Sequence, residues 1–315
     1  MVSVGVDLGG SVTSTLVLDA GDRVVGRSRL KTPTTGDRGG LLEVIETGIL
    51  TALDDADAGR DEIEAVGVGC PGLVIDGTVG GAANLPGFLE RFALGDLLQQ
   101  KLEHPVRVVN DVTAAAVAEH RHGAGRGTQD LLAVFVGTGV GGGIVLGGRA
   151  FEGGAGGAGE LGHIVVRQGG SVCPCGRRGC VEAYAGRRAM VLRAERDVAA
   201  GHQTILFDIA KPSSQVSSDA FQEALDRGDP LVADLLDDAV AALGAGIASA
   251  VNLLDVEIVV LGGELADRLG EPFRLRVDAA ARPHLFLQPP RVQIVCAELG
   301  DQGGALGAAL VARDD

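Results

Sequence analysis

One histidine and three cysteines lie close together in this chain: His163, then Cys173, Cys175 and Cys180, separated by nine, one and four residues. An imidazole with three thiolates is the tetrahedral nitrogen and sulfur set that Zn²⁺ prefers, and four protein ligands leave no position for water, so such an ion would be structural. Arg177 and Arg178 within the loop would favour the thiolate forms. With one ring nitrogen on the metal, the other N–H of His163 would be held in a fixed direction as a donor. Glu160 and Glu182 flank this cluster. Carboxylates beside an oriented N–H suit the hydroxyls of a polyol, although either acid alone reads equally well as a surface carboxylate.

A second set of residues suits phosphate. Gly9-Gly10-Ser11 with Thr13, and Gly137-Thr138-Gly139, are glycine turns carrying hydroxyl side chains. Glycines let backbone amides approach phosphate oxygens, and hydroxyls add donors without bulk. Each turn alone reads better as a plain hairpin turn; as a pair in matching contexts they favour phosphate. Asp7, just before the first turn, is placed either to hold a hydrated Mg²⁺ or to shape the turn. Asn110-Asp111 falls between a strand and a helix, where Asp111 could also be the helix N-cap.

The elements that must position these groups follow from the apolar pattern. Val2–Leu8, Thr15–Leu18 and Val24–Leu30 read as a β-meander, Leu41–Asp54 as a helix, and Glu64–Gly69 and Val106–Val109 as buried strands with Phe92–Lys101 between them. A helix starts at Asp111. Leu131–Val136, the turn at 137–139 and Gly143–Leu146 repeat the opening device about 130 residues on, which suggests two similar lobes facing one another. Helical stretches follow at 182–199 and 229–253, strands at Glu257–Leu261 and near Val292–Cys296, and a last helix near Gly303–Ala312.

Composition excludes several classes. The 27 Lys and Arg against 42 Asp and Glu leave a net charge of −15, so nucleic acid and anionic membranes are disfavoured as partners. With 3% aromatic residues and no Trp, stacking platforms for bases are poorly supplied. The Ala- and Gly-rich stretch 239–254 is too short and too interrupted to span a bilayer. No signal peptide is evident in the opening residues, and five cysteines, an odd number, suit a reducing compartment, so a cytoplasmic protein is expected.

Taken together, Asp7–Ser11, Pro71-Gly72, Asn84–Gly87, Asn110-Asp111, Gly137–Gly143, Glu160–His163, the cysteine cluster and Gly262-Gly263 resemble the ROK family of sugar kinases over nearly the whole chain, closest to bacterial ATP-dependent glucokinases. The resemblance implies an α/β, two-lobed actin-like ATPase fold (a duplicated ribonuclease H-like unit) with an interlobe cleft. The small lobe is expected over 1–120 plus a C-terminal helix at about 301–315, and the large lobe, carrying the zinc loop, over 121–300. It implies Asp111 as the general base in ATP-dependent phosphorylation of a hexose, glucose above all, and Asn84, Asn110, Glu160, His163 and Glu182 as sugar ligands. Asp7 corresponds to the Mg²⁺-associated carboxylate; Gly9, Gly10, Ser11, Thr13, Gly137, Thr138, Gly139, Gly262 and Gly263 correspond to the ATP-binding positions. N-acetylmannosamine, N-acetylglucosamine and fructose kinases share the scaffold. A sugar-responsive repressor of the family is disfavoured, because no helix-turn-helix segment precedes the first strand. Homodimers or homotetramers are the family expectation.

Overall fold

The apolar residues of Val2–Leu8 form β1, which turns back through Gly9–Ser11 into β2 (Val12–Leu18) and then β3 (Val24–Lys31). A computed structural model describes residues 1–34, 36–81, 85, 90–210 and 216–314. The Asp37 carboxylate accepts the amides of Gly39 and Gly40 and so starts α1 (Arg38–Asp55). Next come β4 (Ile63–Cys70), the small hairpin β5 (Leu73–Ile75) and β6 (Thr78–Gly80), α2 (Leu94–Leu102), β7 (Val106–Asn110) and α3 (Asp111–His122). The second half holds β8 (Leu131–Val136), β9 (Val140–Leu146), β10 (Arg149–Ala150), α4 (Glu182–Ala185), α5 (Arg187–Ala199), α6 (Leu206–Ile209), α7 (Ser218–Asp226) and α8 (Pro230–Leu254). β11 (Ile258–Gly262), α9 (Glu264–Ala281), β12 (Gln293–Cys296) and α10 (Gly303–Asp314) complete the order.

The helix expected over 182–199 is two helices, because Gly186 adopts an extended conformation between α4 and α5. α9 is broken at Gly270, whose φ of 62° only glycine takes easily, with Pro272 two residues on. Neither α7 nor α9 was evident in the apolar pattern.

The chain divides into two compact units: residues 1–129, 143–159 and 298–315, and residues 130–142 and 160–297. The first unit holds a five-stranded sheet of order β3-β2-β1-β4-β7, antiparallel at β1/β2/β3 and parallel at β1/β4/β7. Asp7 pairs with Gly69, Gly69 with Val109 and Cys70 with Asn110, so the parallel register brings Asp7, Cys70 and Asn110-Asp111 to the same, C-terminal ends of neighbouring strands. Ligand chemistry in open α/β sheets sits at that edge. The other sheet runs β10-β9-β8-β11-β12; in the second unit β8, β11 and β12 are parallel, ending together near Val136, Gly262 and Cys296. Among the described residues no helix is long and apolar enough to cross a membrane.

α10 is laid down on β1, β4 and α3 through bare backbone. A Cβ on Gly5 would overlap the Ala305 carbonyl oxygen, one on Gly67 that of Ala308, and one on Gly307 that of Ala114. Helix and sheet therefore approach to a distance only glycine allows, and this contact fixes α3, whose first residue is Asp111. Because backbone carbonyls cannot yield as side-chain tips do, Gly307→Ala should cost about 3 kcal/mol of stability, the upper end for overpacking. Urea unfolding of the variant checks this. α3 is further tied by Glu119, a buried carboxylate that accepts the amides of Ala124, Glu298 and Leu299 at 2.8–2.9 Å. Glu119 thereby seats the stretch that leads through Asp301 into α10.

Candidate active site

In the first unit the strand ends carry two carboxylates beside a buried thiol. Asn110, not Asp111, is the N-cap of α3: its Oδ1 accepts the amides of Val112 and Thr113 at 2.9 and 3.1 Å. Its Nδ2 donates to the Gly72 carbonyl oxygen at 3.1 Å. An amide nitrogen has two hydrogens, so Asn110 keeps one donor for a ligand while the cap holds the side chain still. With the cap filled by its neighbour, Asp111 is released from that role; its Oδ1 accepts the Val112 amide at 2.9 Å. Asp7 is mostly buried, and desolvation, followed by the charges of Asp111 and Asp301, pushes its carboxyl up to about 7. Cys70 is fully buried and its thiol is pushed well up by burial, then by Asp111 and Asp7.

The Gly9–Ser11 turn is a braced hairpin. Gly9 N–H donates to Val12 O at 3.1 Å, the Thr32 hydroxyl donates to Gly9 O at 2.7 Å, and Thr32 N–H donates to Ser11 O at 3.0 Å. The Ser11 side chain is exposed at its tip. Thr13 is placed differently from the phosphate donor expected: it is buried, with its hydroxyl 2.9 Å from that of Thr32, and it acts within the brace.

In the second unit the four predicted metal ligands converge. His163 Nδ1 lies 3.7 Å from Cys173 Sγ and Cys175 Sγ lies 3.9 Å from Cys180 Sγ, and all four donor atoms fall within 4.8 Å of one another. A tetrahedron with metal-to-sulfur bonds of about 2.3 Å has edges of about 3.8 Å. The cluster thus fits Zn²⁺ in donor type and in spacing. Burial pushes the Cys173 and Cys180 thiols up; at the more exposed Cys175 burial is outweighed by hydrogen bonds from the Arg177 amide and its neighbouring thiols, and the thiol is lowered. With Nδ1 on the cysteine side, His163 Nε2 points to Glu160, 3.7 Å from its Oε2. Glu182 Oε2 accepts the Val140 amide at 3.0 Å and its Oε1 is 3.8 Å from Cys173 Sγ.

The turn at 137–139 closes with Gly137 N–H on Gly139 O at 2.9 Å, and its Thr138 side chain is exposed. Gly262 and Gly263 link β11 to α9; a side chain on Gly263, where φ is 92°, would press on the Val136 backbone, so this link lies directly against the end of β8. α9 begins without a side-chain cap, leaving its first amides for a ligand. Sequence reasoning missed Arg187, whose guanidinium donates to Thr138 Oγ1 and Glu264 Oε2, each at 3.1 Å, and to Val216 O at 2.6 Å. No local motif marks it. Asn84 lies outside the described residues.

The model of the ROK family matches residues 3–315. The chain belongs to the ROK family. This ROK chain is 33% identical to a glucokinase of Halalkalibacterium halodurans over 98% of its own length and 94% of the relative's. It is 32% identical to an N-acetylmannosamine kinase of Salmonella arizonae, covering 100% of this chain and 99% of that one. Among solved structures, a ROK family glucokinase from Streptomyces griseus in complex with glucose and AMPPNP superposes with a TM-score of 0.82 at 32% identity, covering both chains completely. The expected actin-like ATPase architecture of ROK sugar kinases is therefore borne out.

Proposed function

We propose that this ROK protein transfers the γ-phosphoryl group of ATP to the primary hydroxyl of glucose, giving glucose 6-phosphate and ADP. The observation that carries the reading is the pair Asp7 and Asp111 on one edge of the sheet, at the C-terminal end of β1 and just past that of β7 with β4 between them, where one carboxylate can serve the metal-bound phosphates and the other the acceptor hydroxyl. In the step itself an Asp111 carboxylate oxygen takes the hydroxyl proton as the sugar oxygen forms its bond to the γ-phosphorus and the bond to ADP breaks. Asp7 would associate with Mg²⁺, which when bound neutralises charge on the phosphates. Backbone amides of the Gly9–Ser11 and Gly137–Gly139 turns and of the Gly262-Gly263 link would receive the nucleotide, with the Ser11 and Thr138 hydroxyls adding donors.

Asn110, through its remaining Nδ2 hydrogen, His163 through Nε2–H, and the carboxylates of Glu160 and Glu182 are the proposed sugar ligands, with Asn84 as a further one. His163, Cys173, Cys175 and Cys180 would hold Zn²⁺, which supplies no chemistry to the step and fixes the loop that carries His163. A cytoplasmic setting suits the five unpaired thiols. Assembly into a homodimer or homotetramer would cover exposed apolar side chains such as Leu253 and Phe286, which are 83% and 85% exposed. The net charge of −15 weighs against a nucleic acid partner.

The likeness to an N-acetylmannosamine kinase supplies the second reading, an N-acetylhexosamine acceptor. A panel of glucose, mannose, fructose, N-acetylglucosamine and N-acetylmannosamine with saturating MgATP decides between them. Glucose is expected to give the highest kcat/KM. A higher value for an N-acetylhexosamine selects the second reading, and no turnover with any sugar rejects both.

A further inference from the structure

The segment from Cys180 to Arg188 joins the cysteine cluster to the turn at 137–140 by a continuous set of bonds. Cys180 is one of the four metal donors, and the next residue, Val181, donates its amide to the Ile164 carbonyl, adjacent to His163, at 3.0 Å. Glu182 then reaches both ways: Oε1 stands 3.8 Å from Cys173 Sγ, and Oε2 accepts the Val140 amide at 3.0 Å. The carboxylate lies so close to Gly139 that any side chain there would overlap it. Two and three residues beyond α4, the Arg187 and Arg188 amides donate to the Gly137 and Thr138 carbonyls at 3.0 and 3.1 Å. The Arg187 guanidinium holds the Thr138 hydroxyl and, through Glu264, the residue that follows Gly263.

These contacts grip the carbonyls of Gly137 and Thr138, the Thr138 hydroxyl and the Val140 amide. The shape of the turn is therefore set by where 180–188 sits, and 180–188 is anchored at one end by a metal ligand.

We propose that metal occupancy of the His163/Cys173/Cys175/Cys180 cluster and nucleotide binding at the 137–139 turn are thermodynamically coupled, with Glu182 as the positioning residue that transmits the coupling. The inference rests on the reading of that turn as a nucleotide site. Coupling of two ligands through one protein is reciprocal: if zinc tightens nucleotide binding, nucleotide tightens zinc binding by the same factor.

The reciprocal form gives the test. Zinc affinity of the full-length protein is measured by competition with a chromophoric chelator, without and with saturating MgAMPPNP, and AMPPNP binding to the same samples is followed by calorimetry. Glucose is left out, so that a sugar-binding role of Glu182 does not enter. AMPPNP should raise zinc affinity by about tenfold, within the usual range of coupling between sites. In Glu182→Gln both ligands should still bind, with the tenfold effect reduced to less than about twofold.

If AMPPNP binds the parent protein and zinc affinity does not change, the coupling is overturned while the nucleotide site stands. Full coupling retained in Glu182→Gln overturns the assignment to Glu182. If AMPPNP fails to bind the zinc-loaded parent at all, the nucleotide reading itself is at fault and the inference falls with it. Should Glu182→Gln not fold, the comparison in the parent protein decides the coupling alone.

Discussion

Asp111→Asn should lower kcat for glucose phosphorylation by about 10² to 10⁴, the usual contribution of a positioned general base, while KM for glucose moves far less. The amide is the right substitution because the native Oδ1 accepts the Val112 amide at 2.9 Å, and an Asn Oδ1 can keep that bond. The start of α3 is also secured independently, by the Asn110 cap and by α10 packing through Gly307. A collapse in rate would therefore report lost proton acceptance, not a displaced helix. The loss of one negative charge near Asp7 should leave the variant at least as stable as the parent, since the Asp111 charge is part of what pushes the Asp7 carboxyl up. A coupled assay of glucose 6-phosphate formation, together with a thermal melt, tests both statements. Activity within twofold of the parent would remove Asp111 from the mechanism.

What could be read in the sequence was whatever is local. The glycine turns and the strands around them follow from period-2 alternation and turn chemistry, and β1, β4, β7 and β8 lie within a residue or two of the expected positions. The cysteine cluster was legible because its ligands come mainly from one short loop whose spacing restricts the geometry. Contacts between distant segments left no such trace. Arg187 sits at the first position of a helix, yet its partners Thr138, Val216 and Glu264 come from three separate places in the chain. Glu119 reads as one more helical acid, although its carboxylate carries three backbone amides, two of them from near the C-terminus. Thr13 shows the opposite failure. Its type suited a phosphate donor, but alternation in β2 turns it inward against Thr32, and only the position of β3 reveals that. The helix start at Asp111 was legible, but whether Asp111 or Asn110 caps it was not: Asn and Asp are nearly equal as N-caps, and the choice is made by the backbone of Asn110, which is still extended.

Asp7→Asn should make the protein more stable at pH 8, in zinc-loaded samples free of Mg²⁺. The unfolded carboxyl titrates near 3.8 and the folded one near 7, so between those values the folded chain keeps a proton that the unfolded chain has lost. Stability then falls as pH rises from about 4 to about 7 and stays low above that, by about 4 kcal/mol at the plateau. An asparagine has no charge to desolvate, so its advantage over the parent should be greatest at pH 8 and should shrink steadily toward pH 5. Urea unfolding of both proteins at several pH values measures the gap. The same substitution should lower kcat/KM for MgATP at least about tenfold, because a cation beside the phosphates loses its carboxylate. Stability gained where activity is lost is the pattern expected of a group placed for a ligand and not for the fold. The second carboxylate provides a check on the cause. Asp111 is, after burial, the largest influence raising Asp7, so in the Asp111→Asn background the fall in stability should be complete at a lower pH than in the parent. A gap between Asp7→Asn and parent that stays constant from pH 5 to pH 8 would mean that Asp7 does not titrate in this range, and a midpoint unmoved by Asp111→Asn would mean that the two strand ends do not sense each other.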